Sequence, residues 1–197
     1  MARSAPTGAP TRERLVESTV ELFRHQGYAG TGLKAILAAA QAPFGSLYHF
    51  FPGGKEELGV AALHAGGATY RELVAAIFAE GVDVVTATAN FFEGAAAVVE
   101  ATDYADACPI ATVALEVAST NEPMRHAAAE AFESWLVVLR ERLTAAGIAP
   151  ARSSDLAVEL FCAIEGAFIL SRTTRSVEPI HIAGRAAVAS VQGALTT

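Results

Sequence analysis

The sequence predicts an all-α chain of about nine helices. Three observations carry that reading. Apolar residues recur at helical spacing along the chain, and almost no segment alternates with period two. Glycines and prolines fall between the periodic runs, where they punctuate helices. Hydrophobic residues make up 52% of the 197 positions and charged residues 18%. That is enough apolar side chain for a packed core, and it excludes a disordered chain.

The first helix is expected over residues 11–26. Leu15, Thr19, Leu22 and Phe23 form its buried stripe, with Thr11 as a candidate N-cap and Gly27 as the stop. Two short helices follow. One covers 33–40, with Thr31 available as its cap, and the other covers 44–50. Gln41-Ala42-Pro43 joins them, and Pro52-Gly53-Gly54 ends the second. The fourth helix, over 55–80, carries Glu56 and Glu57 in its first turn, where carboxylates suit the helix dipole. Gly66-Gly67 in its middle costs about 1 kcal/mol per residue relative to Ala, so a kink or a close helix contact is expected there. Five more helices are expected over 84–100, 109–118, 122–146, 153–174 and 179–194. Pro109 and Pro179 suit first-turn positions, and Gly147 closes the seventh helix. The expected organisation is a three-helix domain over 1–55, with 1–10 as a flexible arm, and a second helical domain over 56–197.

The formal net charge is −7. Residues 1–60 hold Arg3, Arg12, Arg14, Arg24, Lys34 and Lys55 against Glu13, Glu17, Glu21, Glu56 and Glu57. The acid excess therefore lies beyond residue 60, and the N-terminal region is close to neutral. Cys108 and Cys162 form no Cys-x-x-Cys pair and are expected as small buried residues. His25, His49, His64, His126 and His181 show no metal-ligand spacing. No P-loop, His-Glu-x-x-His or Gly-x-Ser-x-Gly occurs. No metal, cofactor or catalytic constellation is expected, and the chain reads as a non-enzyme. The longest stretch without Lys, Arg, Asp or Glu, 35–54, is interrupted by Pro43 and Pro52, so it is no spanning helix. The first ten residues lack the apolar core of a signal peptide. A cytoplasmic protein without a membrane partner is expected.

Function points to residues 31–58. Two short helices joined by a three-residue turn have the geometry of a helix-turn-helix. Ser46, Tyr48 and His49 offer hydrogen-bonding groups on the second of them. Lys55 heads the next helix, where an ammonium and free backbone N–H groups suit a phosphate. From the residues alone, the alternative is an ordinary helical hairpin closed by Leu47, Phe50 and Phe51.

The run GYAGTGLKAILAAAQAPFGSLYHFFPGGKEEL, above all GSLYHFFPGGKEEL, resembles the DNA-binding domain of the TetR family of transcriptional repressors. Its Pro-Gly-Gly-Lys junction, longer than is usual in that family, is similar to the LmrA/YxaF-like branch, as is ACPIATVALE ending at Glu116. The resemblance implies a homodimeric, ligand-responsive repressor on a palindromic double-stranded operator, released by a small hydrophobic or aromatic effector. It implies DNA contacts at Thr31, Lys34, Phe44, Ser46, Tyr48, His49 and Lys55. Three positions depart from the pattern. Phe44 stands where this branch usually has Lys, and Phe50 where the family commonly has His. Gln41 stands where the turn commonly has Gly, and a left-handed backbone there costs about 1 kcal/mol.

The other half carries aromatic stripes. Phe91, Ala95, Cys108, Phe132, Trp135, Phe161 and Phe168 read from the residues alone as plain core, while Asn90, Thr112, Glu116 and Glu165 interrupt apolar helix faces, Glu116 and Glu165 reading equally well as a solvated edge. The resemblance implies that they enclose an effector cavity, with Asn90, Thr112, Glu116 and Glu165 as its polar groups. Ala163, Gly166 and Leu170 on the eighth helix, with Ala187 and Val191 on the ninth, are expected at a dimer interface or else packed within the chain. A second functional reading is a helical small-molecule-binding protein whose DNA binding is weak or lost.

Overall fold

The computed structural model describes residues 10–106 and 108–196. Among them it contains nine helices and no strand: α1 Thr11–Gly30, α2 Leu33–Ala39, α3 Phe44–Phe50, α4 Lys55–Ile77, α5 Val84–Ala101, α6 Pro109–Val117, α7 Glu122–Ala145, α8 Pro150–Thr174 and α9 Glu178–Leu195. Most of the expected N-terminal arm, including Arg3, lies outside the described residues.

Helix ends follow local chemistry. α1 breaks at Gly27, whose φ of 69° and ψ of −173° are not helical, and one further turn follows over Tyr28, Ala29 and Gly30. Two expected caps are displaced. Pro10 occupies the N-cap of α1, making Thr11 its first helical residue, and Gly32 occupies the N-cap of α2. Neither Thr11 nor Thr31 therefore caps its helix. Asp83 caps α5 by accepting the Thr86 N–H at 2.8 Å and the Thr86 hydroxyl at 2.9 Å. Cys108 caps α6, its Sγ accepting the Ala111 N–H at 3.4 Å. α8 starts three residues before the expected 153, because Pro150 can open its first turn. Gln41 adopts φ 49° in the turn between α2 and α3, the left-handed backbone that costs a non-glycine residue about 1–2 kcal/mol.

Packing divides the chain into two compact units. The first runs up to Thr69 and takes in the segment up to Phe132 that holds α6 and the first turns of α7. The second holds Tyr70–Asp106 and everything from Glu133 onward. This partition by packing differs from the functional division expected at residue 55.

In the first unit, α1, α2, α3 and the start of α4 converge on Leu15, Ile36, Leu47, Phe51 and Leu58, all buried. α6 lies along α1. The glycine pair of α4 marks a close helix contact, and the helix runs on through it without interruption. A Cβ at Gly67 would stand 2.6 Å from the Ala131 Cβ, and one at Gly66 would stand 3.4 Å from the Val20 Cγ1.

In the second unit, α5, α8 and α9 pack together around Phe92, Val99, Leu160, Ile164, Ile180 and Val191. Gly184 lets α9 approach α5, since a Cβ there would fall 2.8 Å from the Phe92 Cβ. The two cysteines part company. Cys108 is buried, but Cys162 is exposed on α8, contrary to the expectation that both would be buried. Helical spacing places Cys162 on the face of α8 opposite Leu160 and Ile164.

The glycine contact can be checked directly. Gly67→Ala should destabilise the fold by about 1–3 kcal/mol through overpacking against Ala131. Gly66→Ala meets only an ordinary contact and gains helix propensity, so it should leave stability unchanged or raise it. Thermal denaturation of both variants reads the difference.

Candidate functional site

The helix-turn-helix is built from the inside outward. Leu47 is fully buried and Phe51 nearly so. Phe50 packs at their edge, so the aromatic cluster anticipated here does hold α3 in place. The turn is closed by the Ala42 N–H donating to the Leu37 carbonyl at 3.0 Å and the Gln41 N–H donating to the Ala38 carbonyl at 3.2 Å. The i, i+4 relation then sends Phe44 and Tyr48 to the same outer face, 59% and 49% exposed. Their ring centroids are 5.9 Å apart and the planes are tilted by 56°. His49 is exposed beside them, and Ser46 is half-buried. Gly45 leaves open space where a side chain would stand. Lys34 is exposed on α2.

Two residues expected at the DNA have partners within the chain. Thr31 is fully buried, and its hydroxyl donates to the Gly27 carbonyl at 2.7 Å. Lys55 turns its ammonium inward, donating to the Tyr28 carbonyl at 2.6 Å and lying 4.1 Å from the centre of the Tyr28 ring. Burial pushes the Lys55 pKa below its ordinary value, against an opposing pull from the Glu116 carboxylate. The arginines near the start of α1 are engaged too. Arg14 Nε donates to the Ala40 carbonyl at 3.0 Å, and the Arg12 guanidinium lies 5.2 Å from the centre of the Phe51 ring.

Glu116, expected among the polar groups of an effector cavity, also has partners within the chain. It accepts the Tyr28 N–H at 3.0 Å and the Ala29 N–H at 2.6 Å. The break at Gly27 starts a fresh helical turn whose N–H groups lack intrahelical partners, and Glu116 of α6 caps them from outside. A Cβ at Gly27 would stand 1.8 Å from the Glu116 Oε1. Only a glycine admits the carboxylate. The backbone of Tyr28 is thus held on both sides, its N–H by α6 and its carbonyl by α4. Sequence reasoning missed this junction. Its one signal was Gly27, which spacing read as a helix stop only.

In the second unit, Trp135 is buried between two rings. The Tyr70 centroid lies 5.8 Å away, and Phe161 stacks on it at 5.5 Å. Phe91 continues the chain of rings, 6.0 Å from Phe161, 6.2 Å from Phe78 and 5.6 Å from Phe92. Phe91, Ala95, Phe161 and Phe168 are all partly buried against the core of this unit. Asn90 faces solvent and Glu165 is half-buried. Cys108, Thr112, Glu116 and Phe132 belong to the first unit, where the Thr112 hydroxyl donates to the Cys108 carbonyl at 2.9 Å.

The expected dimer residues also separate. Gly166 and Leu170 are exposed, and Ala163 is half-buried. Ile169 and Ile182 add to the exposed apolar surface of α8 and α9. Ala187 and Val191 instead face the chain's own core, Val191 with no exposure at all. Gly184 and Ala187 of α9 are taken up by intramolecular packing. Among the described residues, no helix is long and apolar enough to cross a membrane, and no group of three or more His, Cys, Asp or Glu is placed to hold a metal.

Residues 15–62 match the family model of bacterial regulatory proteins of the tetR family. Residues 84–186 match that of the LmrA/YxaF-like transcriptional regulator C-terminal domain. The uncharacterized HTH-type transcriptional regulator YxaF of Bacillus subtilis is 34% identical over 86% of this chain and 89% of its own length. The HTH-type transcriptional regulator LmrA of the same organism is 32% identical over 87% and 92%. In fold, the chain is similar to the regulatory protein TetR from Rhodobacter sphaeroides, with a TM-score of 0.81 at 22% identity over 92% of this chain and 99% of that one. It is also similar to reduced Escherichia coli NemR, with a TM-score of 0.73 at 22% identity over 90% and 94%.

The trans-cap makes its own prediction. Glu116→Ala removes the acceptor of two solvent-accessible backbone N–H groups and should cost about 0.5–2 kcal/mol in thermal denaturation, as loss of a helix cap does. Hydrogen exchange at the Tyr28 and Ala29 amides should accelerate in the same variant.

Proposed function

We infer the function of this chain from what it is: it belongs to the TetR family of bacterial transcriptional regulators, in the LmrA/YxaF-like group. We propose that it is an effector-responsive repressor. A cytoplasmic homodimer holds a palindromic operator, with each α3 in a major groove and the half-sites about one helical turn (~34–36 Å) or a multiple of it apart. A small hydrophobic or aromatic effector releases it.

The observation that carries the reading is the outer face of α3. Phe44, Tyr48 and His49 stand exposed on a short helix fixed from behind by Leu47 and Phe51. Large exposed rings on a helix of this kind suit a partner surface better than water. Dimerisation through α8 and α9 is supported by their exposed Ile169, Leu170 and Ile182. The ring cluster around Trp135 supplies the apolar, aromatic surface that such an effector would pack against. Release then follows from a higher effector affinity for a conformer whose two α3 helices are wrongly spaced for the operator.

One set of observations favours the second reading, a small-molecule-binding protein with weak DNA binding. Phe44 stands where the resemblance leads one to expect a cation, Lys55 and Arg14 are hydrogen-bonded to carbonyls of their own chain, and the exposed Arg12 lies over the Phe51 ring. A mobility shift against the protein's own upstream region separates the two readings. Retardation supports the repressor, and its absence supports the alternative.

Two further outcomes are expected from the same assay. Tyr48→Ala should weaken operator binding at least tenfold, in line with about 1–3 kcal/mol for one good base contact, and should leave the dimer intact by light scattering. The slope of log K against log salt should be no steeper than about −6 for the dimer, because each phosphate contact contributes only about −0.9 and few cations are free to make one.

A further inference from the structure

We propose that α3 selects its operator through methyl groups, with the Phe44 ring, flanked by Tyr48, reading the 5-methyl group of a thymine in each half-site. The proposal rests on the DNA-binding reading above.

The side chains of α3 read Phe-Gly-Ser-Leu-Tyr-His-Phe. The commonest base-specific contact is a bidentate Arg or Lys on guanine, and the adenine equivalent uses Asn or Gln. α3 carries none of the four. One exposed cation, Lys34, lies nearby on α2 rather than on α3, and three others have partners within the chain. Lys55 is hydrogen-bonded to the Tyr28 carbonyl and Arg14 to the Ala40 carbonyl, and Arg12 lies over the Phe51 ring.

What α3 offers outward is therefore short-range and largely apolar. Phe44 is the more exposed of its two outer rings and has no hydrogen-bonding group at all. Tyr48 lies against it and widens the apolar surface. Between them in sequence, a Cβ on Gly45 would meet nothing within 4 Å, so no side chain there holds the first turn of α3 away from a surface. In the major groove, the apolar group on a base edge is the thymine methyl. A phenyl ring placed there gains by covering that methyl and gains little from any other edge. Burying one methyl is worth roughly fourfold in affinity, and two half-sites multiply that to on the order of tenfold.

The experiment begins by selecting duplexes from a random pool with the full-length dimer. Each thymine of the enriched site is then replaced in turn by deoxyuridine, which keeps the base pair and removes only the methyl. One thymine per half-site should show a loss of about fourfold, and both together a loss of about tenfold or more. Phe44→Ala should bind the thymine and deoxyuridine sites equally at that position, and Phe44→Leu should keep part of the difference. A wild-type protein indifferent to every deoxyuridine replacement overturns the proposal. So does a penalty that survives unchanged in Phe44→Ala. If the dimer enriches no duplex at all, the repressor reading falls and this inference falls with it, an outcome distinct from an enriched site that ignores the methyl. Capture of a protein partner by the Phe44 face without any duplex selection also counts against it.

Discussion

The backbone of Tyr28 joins three helices, and the arrangement of the N-terminal unit depends on it. α1 cannot run straight into α2. It breaks at Gly27, and the break leaves backbone N–H groups without intrahelical partners. Glu116 supplies their acceptors from α6, and Lys55 supplies a donor to the carbonyl on the other side from α4. Bonds with one charged partner are worth about 1.5–3 kcal/mol where they are shielded from water, and less at an exposed carboxylate such as this one. The geometry matters more than the energy. The same glycine that lets α1 turn also leaves the space in which the Glu116 carboxylate sits. A side chain at that position would lose both.

That junction has a consequence for the outer surface. A lysine at the head of α4 looks from sequence like a phosphate ligand, since helix N-termini collect anions. Here the ammonium is committed to a carbonyl and a ring of its own chain. The engagement of Arg12 and Arg14 works in the same direction. Neutrality of the N-terminal region, first visible as a balance of charges, becomes local in the structure: several of its few cations serve the fold.

The helices were legible because Gly, Pro and the apolar period mark them, and most boundaries fall within a few residues of expectation. The helix-turn-helix was legible because its turn and its stop are spelled in sequence. Partners of polar side chains were not. Thr31, Lys55 and Glu116 were placed by analogy on ligands outside the chain, yet each finds an acceptor or donor within it, in the case of Glu116 from a residue 88 positions away. Sequence separation of that order leaves no local pattern to read. The α9 helix shows the same limit in another form. Its small residues are compatible with a dimer seam or with an internal one. Only the approach of Gly184 to Phe92 and the burial of Val191 decide that these positions face inward. Gly67 was legible as a close contact or a kink, and Ala131 settles which.

A near-neutral DNA-binding surface has a physical logic of its own. Non-specific binding to DNA is almost wholly electrostatic, and it is paid equally to every sequence. A domain several of whose cations are engaged by its own chain gives up part of that term for wrong sites as much as for right ones. Its absolute affinity falls, but its discrimination does not, because the specificity ratio depends on the contacts that differ between sequences. If exposed rings and hydroxyls supply those contacts, as the outer face of α3 suggests, loss of any one of them removes affinity and selectivity together. The position of Phe44, at the first turn of α3 and more exposed than Tyr48, then carries more weight than a surface phenylalanine ordinarily would.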